Sequence, residues 1–132
     1  SVNDATPALI KLPAAMLDHF GGVGKTTGDT PFALQLDCNS AVTVSLRVDG
    51  AESLSARGHG VLRNDATDDR AQGIGVQLLH HRQPVALNHE MTLGSASAGR
   101  FILQLTARYY QTRPRITAGQ VSAVATYTLH YD

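Results

Sequence analysis

The sequence lacks several features on which common functions depend. It has no tryptophan and only one cysteine, and its 11 Lys and Arg residues are balanced by 11 Asp and Glu residues. Nucleic-acid binding normally requires a basic surface, so a net charge of zero argues against it. No apolar run approaches the ~20 residues of a membrane-spanning helix, so we expect no membrane insertion.

A segment similar to a phosphate-binding loop is present but incomplete. Residues Gly21–Thr27 contain Gly-Lys-Thr, but His19 stands where the motif requires its first glycine. The motif also needs a following helix whose N-terminus holds the phosphates. Here Gly28, Asp29 and Pro31 follow instead, so we expect a solvated loop.

The remaining polar clusters predict no metal, cofactor or catalytic site. His80 and His81 are adjacent, and on a strand they would point to opposite faces and could not share a metal. The spacing of Asp65, Asp68 and Asp69 fits no calcium-binding loop. We therefore expect surface histidines, a solvated acidic turn and no enzymatic activity.

The single cysteine, Cys38, ends an alternating run on the same face as Phe32 and Leu34. Its simplest interpretation is a small buried apolar residue. The alternative is half of a disulfide whose partner lies upstream of Ser1. A catalytic role is not expected, because no base and orienting residue stand nearby in the sequence.

Short alternating runs separated by turn signals predict an all-β sandwich, with one domain over residues 1–132. The predicted strands are Pro7–Leu12, Phe32–Cys38, Val42–Asp49, Gly58–Leu62, Gly73–Leu79, a short stretch at Val85–Leu87, Phe101–Tyr109 and Val121–Tyr131. The predicted loops and turns are His19–Pro31, Asn64–Arg70, Gln83–Pro84 and Ser95–Gly99, with at most one helical turn at Ala14–Asp18.

The last predicted strand, Val121–Tyr131, carries the strongest functional signal. Its apolar residues alternate without a break: Val121, Ala123, Ala125, Tyr127, Leu129 and Tyr131. A strand that ends a chain has no following hairpin partner, and its free edge invites a strand from another molecule. A slip of one residue would place Ser122, Val124, Thr126 and Thr128 on the core face, so the register is strongly specified. The pattern predicts a protein completed by a partner.

Four segments resemble the pilins of the chaperone–usher pathway, the type 1 and P-like fimbrial subunits. They are Thr30–Cys38, which resembles the second strand with its cysteine, Gly73–Leu78 (GIGVQL), Phe101–Tyr109 (FILQLTARY) and the C-terminal signature from Ala118 to Tyr131. In that signature Gly119 is the fourteenth residue from the end and Tyr131 is penultimate. The resemblance covers about residues 7–132.

The resemblance implies an incomplete immunoglobulin-like β-sandwich that lacks its final strand and is completed by a donor strand. A periplasmic chaperone would first fill the groove, and the adjacent pilin subunit's donor strand would replace it at the outer-membrane usher. The implied groove and chaperone-binding residues are Leu9, Ile10, Leu12, Gly119, Val121, Ala123, Ala125, Tyr127, Leu129, Tyr131 and Asp132, whose α-carboxylate the chaperone would hold with basic side chains. The implied role is assembly and support of cell adhesion, first in the periplasm and then in a surface pilus.

Two departures from the family pattern leave the position in the fibre open. The family usually pairs the residue matching Cys38 with a first-strand cysteine, so we expect that partner upstream of Ser1. No segment before Asn3 resembles the extension that shaft pilins donate. The chain is therefore expected to be the C-terminal pilin domain of a tip adhesin or a trimmed subunit, with the former slightly favoured. The competing interpretation is a self-sufficient, lectin-like β-sandwich, which would need aromatic platforms to bind carbohydrate.

Overall fold

Alternating apolar residues form two antiparallel sheets in the computed structural model, which describes residues 6–7, 12, 14–38, 41–96 and 99–131. The strands of these residues are Thr6–Pro7 (β1), Thr26–Cys38 (β2), Val42–Gly50 (β3), Val61–Leu62 (β4), Ile74–His80 (β5), Gln83–Pro84 (β6), Glu90–Ala96 (β7), Gly99–Gln111 (β8) and Ala125–Tyr131 (β9). Two short 3₁₀ turns lie at Leu17–His19 and Leu54–Ala56. The described residues contain no helix long and apolar enough to cross a membrane.

The strands form a two-layer sandwich. One sheet has the order β1-β9-β3-β7, and the other has the order β2-β8-β5-β4 with β6 paired to β5. Every pair formed among these nine strands is antiparallel. This arrangement confirms the predicted all-β, immunoglobulin-like sandwich.

The hydrophobic core lies between the two sheets. Leu46 and Leu129 face each other across β3 and β9, and 0% and 1% of their respective surfaces are exposed. Leu34 and Leu103 are paired in the opposing sheet and are also buried. Burial of such side chains supplies the main stabilisation of a sandwich of this size.

The strand β2 begins earlier than predicted. Thr26 and Thr27 pair with Tyr110 and Tyr109 of β8, although the sequence predicted a loop up to Pro31. A register shift between Thr27 and Thr30 accommodates the extra residues, and Gly28 adopts a φ of +78° there. A bulge of this kind lets a glycine-rich stretch continue a strand, which the loop prediction missed.

The hairpin after β5 also differs from the prediction. Its turn is formed by His81 and Arg82, whose φ values are +48° and +65°, and Gln83–Pro84 forms β6 rather than the turn. Two residues with positive φ make a tight hairpin turn. This turn also overturns the prediction that the two histidines face opposite ways: the rings of His80 and His81 stack with centroids 4.1 Å apart.

Several other boundaries were predicted wrongly. Strand β7, Glu90–Ala96, was missed, and the predicted loop Ser95–Gly99 contributes its first two residues to β7 and its last to β8. The stretch Val85–Leu87 is not a strand, although Val85 and Leu87 are buried in the core. Of the predicted strand Gly58–Leu62, only Val61–Leu62 pairs with β5. At the N-terminus, Pro7 lies in β1 and Leu12 lies outside any strand, while residues 8–11 lie outside the described part.

The last strand starts at Ala125 rather than at the predicted Val121. Its partner β3 ends at Gly50, which pairs with Ala125, so the ladder has no strand to continue on. Asn88 holds this end of β3 by accepting a hydrogen bond from Gly50 N–H and donating one to Gly50 C=O, each at 3.0 Å. The residues before Ala125 therefore take their hydrogen bonds from a different part of the chain.

Candidate functional site: an open groove between the sheets

A cavity of about 800 Å³ opens between the two sheets at one side of the sandwich. Its floor comes from the sheet that contains β2, β5 and β8. The floor side chains are Phe32, Leu34, Ile74, Val76, Leu78, Leu105, Ala107 and Tyr109. Facing them from the other sheet are Val48, Ala125 and Tyr127. The cavity is thus an unfilled extension of the hydrophobic core.

Two segments of irregular backbone form the rim of this cavity. One is the stretch around the first 3₁₀ turn, from which Leu12, Met16 and Phe20 line the opening. Met16 is 64% exposed, which is unusual for a large apolar side chain beside a core. The other is residues 119–124, here called the rim segment, which leads into β9.

The groove residues predicted from the sequence fall into three groups. Leu12, Gly119, Val121, Ala123, Ala125 and Tyr127 line the cavity. Leu129 does not line the cavity and is buried in the core, and the main chain of Tyr131 pairs with Val44. Leu9, Ile10 and Asp132, together with the side chains of Cys38 and Tyr131, lie outside the described residues.

The rim segment is extended although it belongs to neither sheet. Val121, Ala123 and Ala125 are half-buried, whereas Gln120, Ser122 and Val124 are exposed. This period of two continues the alternation of β9 and places the apolar side chains in the cavity. The predicted core face is therefore confirmed for these residues even where no ladder forms.

Asn64 holds the rim segment in place. Its buried side chain donates from Nδ2 to Gln120 C=O at 2.9 Å and to Ala71 C=O at 3.1 Å. Its Oδ1 accepts from Ser122 N–H at 2.9 Å and from Ala66 N–H at 3.1 Å. The sequence predicted only a polar loop here, because nothing in the residues around Asn64 distinguishes a buried anchor from a solvated turn.

Gly119 begins the rim segment because the loop beside it comes too close for a side chain. A Cβ atom at Gly119 would lie 2.6 Å from Ala71 N and would also overlap Asp69 O. The same loop bonds to Gln120, whose C=O accepts from Ala71 N–H at 2.9 Å and whose N–H donates to Asp69 C=O. The glycine of the C-terminal signature is thus explained by a close approach of two backbones.

The outer edge of β9 is partly occupied by the chain itself. In β1, Thr6 pairs with Tyr127 and Pro7 pairs with Thr126, in antiparallel orientation. On its other edge β9 pairs with β3. An incoming strand that followed the rim segment into β9 would meet β1 at this point.

The cavity is electrically neutral. None of the described side chains that line it carries a formal charge, and the polar groups among them are Gln120, Ser122, Tyr109 and Tyr127. Burial raises the pKa of the Tyr109 hydroxyl above its usual value. Among the described residues no three His, Cys, Asp or Glu side chains come together in a group able to hold a metal. The arrangement suits an apolar occupant.

Comparison with known proteins identifies the kind of chain to which this groove belongs. A family model described as "Fimbrial protein" matches residues 1–132. A fimbria adhesin protein of Klebsiella pneumoniae is 34% identical over 122 residues, which are 84% of this chain and 38% of the relative. The chain spans little more than a third of the length of the first curated relatives it matches.

Solved structures share the fold. The antigen and type I fimbria protein of Burkholderia pseudomallei superposes with a TM-score of 0.74 at 24% identity, over 98% of this chain and 88% of that one. A structure described as a chaperone–usher pilus superposes with a TM-score of 0.62 at 13% identity, over 97% of this chain and 87% of that one. These proteins are fimbrial structural and adhesin proteins rather than enzymes.

Proposed function

Because this chain belongs to the fimbrial protein family of chaperone–usher pilins, we propose that it is a pilus subunit domain completed by a strand from its neighbour. The whole of residues 1–132 would form one pilin domain. Its role is structural, in assembling a surface fibre that supports cell adhesion, and it has no catalytic step.

The observation that carries this proposal is the open, uncharged cavity between the sheets. A sandwich normally closes its core with side chains from both layers. Here the half-buried Val121, Ala123 and Tyr127 border a volume of about 800 Å³. An extended segment with alternating apolar residues would fill it, because such a strand offers side chains to the pockets and main-chain groups to the edges.

The proposed partners are those that membership of the fimbrial family implies. A periplasmic chaperone would cover the groove first, and the adjacent subunit's donor strand would replace it at the outer-membrane usher. Leu9, Ile10, Tyr131 and the carboxylate of Asp132 are proposed to take part in chaperone binding. A disulfide from Cys38 to a cysteine upstream of Ser1 would fit the oxidising periplasm.

We favour the C-terminal pilin domain of a tip adhesin over a shaft subunit. The supporting observation is that the chain matches little more than a third of the length of the Klebsiella adhesin and of the other first curated relatives. No observation favours a self-sufficient, lectin-like sandwich. Among the described side chains every Phe and Tyr is buried or half-buried, so none offers an open platform for a sugar ring.

The test is whether a donor peptide stabilises the chain. A peptide with apolar residues at alternate positions is added at increasing concentration, and the melting temperature is followed by circular dichroism. We expect the peptide-free chain to melt low and the melting temperature to rise with peptide concentration. A peptide of the same composition with its apolar residues in consecutive positions is the control, because it cannot present them all on one face.

A matched pair of substitutions locates the effect in the groove. Ala123→Glu places a charge in the apolar cavity and should abolish the rise. Val124→Glu should leave the rise intact, because Val124 is the next residue along the chain but is itself 64% exposed. A chain that melts high and reversibly without peptide, and that no alternating peptide stabilises further, would contradict the proposed function.

A further inference from the structure

One edge of the rim segment is hydrogen-bonded to the loop of residues 64–71. Ser122 donates its N–H to Asn64 Oδ1 at 2.9 Å and accepts from Asp65 N–H at 2.7 Å. Gln120 likewise directs both its main-chain groups to the loop at 69–71. The main-chain N–H and C=O groups of Gln120 and Ser122 therefore point toward the loop of residues 64–71.

The main-chain groups of the odd-numbered residues point to the opposite edge of the rim segment. In an extended chain the N–H and C=O groups of successive residues point to opposite edges. The alternating exposure of residues 120–125 shows that this stretch is extended. The main-chain groups of Val121 and Ala123 thus point away from the loop, and within the described part of the chain no hydrogen bond reaches them.

Asn64 is the residue on which this arrangement depends. It is 6% exposed. Its side-chain NH₂ group donates two hydrogen bonds and its side-chain oxygen accepts two. Two of the four bonds go to the rim segment and two to its own loop, so the side chain joins the two backbones. The close approach at Gly119 lets them come together. No strand of either sheet performs this task, because β3 ends at Gly50.

From this geometry we propose that Asn64 is a positioning residue for donor-strand binding. It holds the rim segment extended, so that Val121 and Ala123 present to the incoming strand N–H and C=O groups to which no described residue is hydrogen-bonded. This inference rests on the proposed function and adds to it. What it adds is that Asn64 orders the edge to which the donor's main-chain groups would bond.

The test combines a variant of Asn64 with a change in the donor. Amides of an alternating apolar donor peptide are replaced by esters one at a time, which removes a single N–H donor. In the wild-type chain, the esters opposite Val121 and Ala123 should weaken binding roughly three- to tenfold each, as expected for single hydrogen bonds. In Asn64→Leu the rim segment is no longer held, so binding should weaken overall and the ester penalty should fall to near onefold.

Gln77→Leu is the matched control. Gln77 is also a buried amide. Its Nε2 donates to His59 C=O at 2.8 Å and its Oε1 accepts from Arg108 Nε at 2.7 Å. Neither hydrogen bond involves the rim segment. The substitution should lower stability but leave the ester penalty at its wild-type value. A residue with a merely structural role at position 64 would behave like Gln77.

Hydrogen exchange keeps the inference testable if Asn64→Leu does not fold. In the peptide-free wild-type chain, the amide of Ser122 should be protected and those of Val121 and Ala123 should exchange fast. Saturating peptide should protect both. If the peptide binds and these two amides stay unprotected, or if the ester penalty in Asn64→Leu equals that of the wild type, the inference is wrong while the proposed function stands. If no alternating peptide binds the wild type, both fail.

Discussion

Leu129 and Tyr127 lie two residues apart on the same face of β9, yet they sit in different environments. Leu129 packs in the closed half of the sandwich against Leu46 and is 1% exposed. Tyr127 borders the open half and remains half-buried beside the cavity. The same alternation of apolar residues thus runs from a finished core into an unfinished one. Hydrophobicity marks which face points inward, but whether that face is covered depends on what the opposing layer supplies.

The largest effect that sharpens this comparison comes from truncation in the two halves. Leu129→Ala should lower the free energy of unfolding by about 2–5 kcal/mol, because it leaves a cavity in close-packed surroundings. Tyr127→Ala should cost clearly less in the peptide-free chain, since its side chain is already partly in water. Urea unfolding of both variants measures the difference.

Filling the groove should reverse part of that contrast. With saturating donor peptide, the cost of Tyr127→Ala should increase while the cost of Leu129→Ala stays the same. Equal losses in the free energy of unfolding for the two substitutions without peptide would mean that the open half is closed in solution and that the two halves do not differ.

A smaller effect should come from the start of the rim segment. Gly119→Ala should destabilise the chain by about 1–3 kcal/mol, because the new methyl group meets the backbone of the loop at Asp69–Ala71. Gly94→Ala is the matched control, because Gly94 also has a positive φ, of +118°, but its added Cβ would meet nothing within 4 Å. Denaturant midpoints that were equal for the two variants would show that the close approach contributes nothing.

The smallest expected effect is a loss of stability in mild acid that originates in the hairpin between β5 and β6. Burial, and then the neighbouring His81, lower the pKa of His80 below its usual 6.5. The folded chain therefore favours neutral His80, and stability present above pH 6.5 is lost as the pH falls through that value toward the lower folded-state pKa. Urea midpoints between pH 7.5 and pH 5 should show a shallower decline in His80→Gln than in the wild type.

The exposed His89 provides the control for that titration. His89→Gln should decline with pH as the wild type does. If His80→Gln and the wild type showed the same pH dependence, the stacked pair would not be the source of the effect.

The sequence predicted the sandwich because its strands alternate cleanly. Val42–Asp49 and Phe101–Tyr109 each lie within an observed strand, β3 and β8. The inward face of Ala123, Ala125 and Leu129 was also predicted correctly, because Leu129 is buried and the two alanines pack against the core. Strand β7 was missed because Gly94 and Ser95 interrupt its short apolar pattern. It forms a strand through its pairing with β3. That pairing joins residues far apart in the chain, which local patterns do not encode.

The candidate site was predictable only in part. Alternation located the residues that line the groove on β9, and turn signals located the loop at Asn64–Arg70. The role of Asn64 was not predictable, since its four hydrogen bonds reach residues up to 58 positions away. The left-handed turn at His81 likewise overrode the strand rule that placed His80 and His81 on opposite faces.

The most direct test of the central claim uses the absence of tryptophan from the chain. A donor peptide carrying one tryptophan at a central apolar position gives a fluorescence signal that comes from the peptide alone. On titration with the protein, the account predicts a saturable 1:1 shift of the emission to shorter wavelength, as the indole leaves water for the cavity, and no shift with Ala123→Glu. Emission that stays at its position in water up to saturating protein, or an equal shift with Ala123→Glu, would contradict the claim that this groove receives a donated strand.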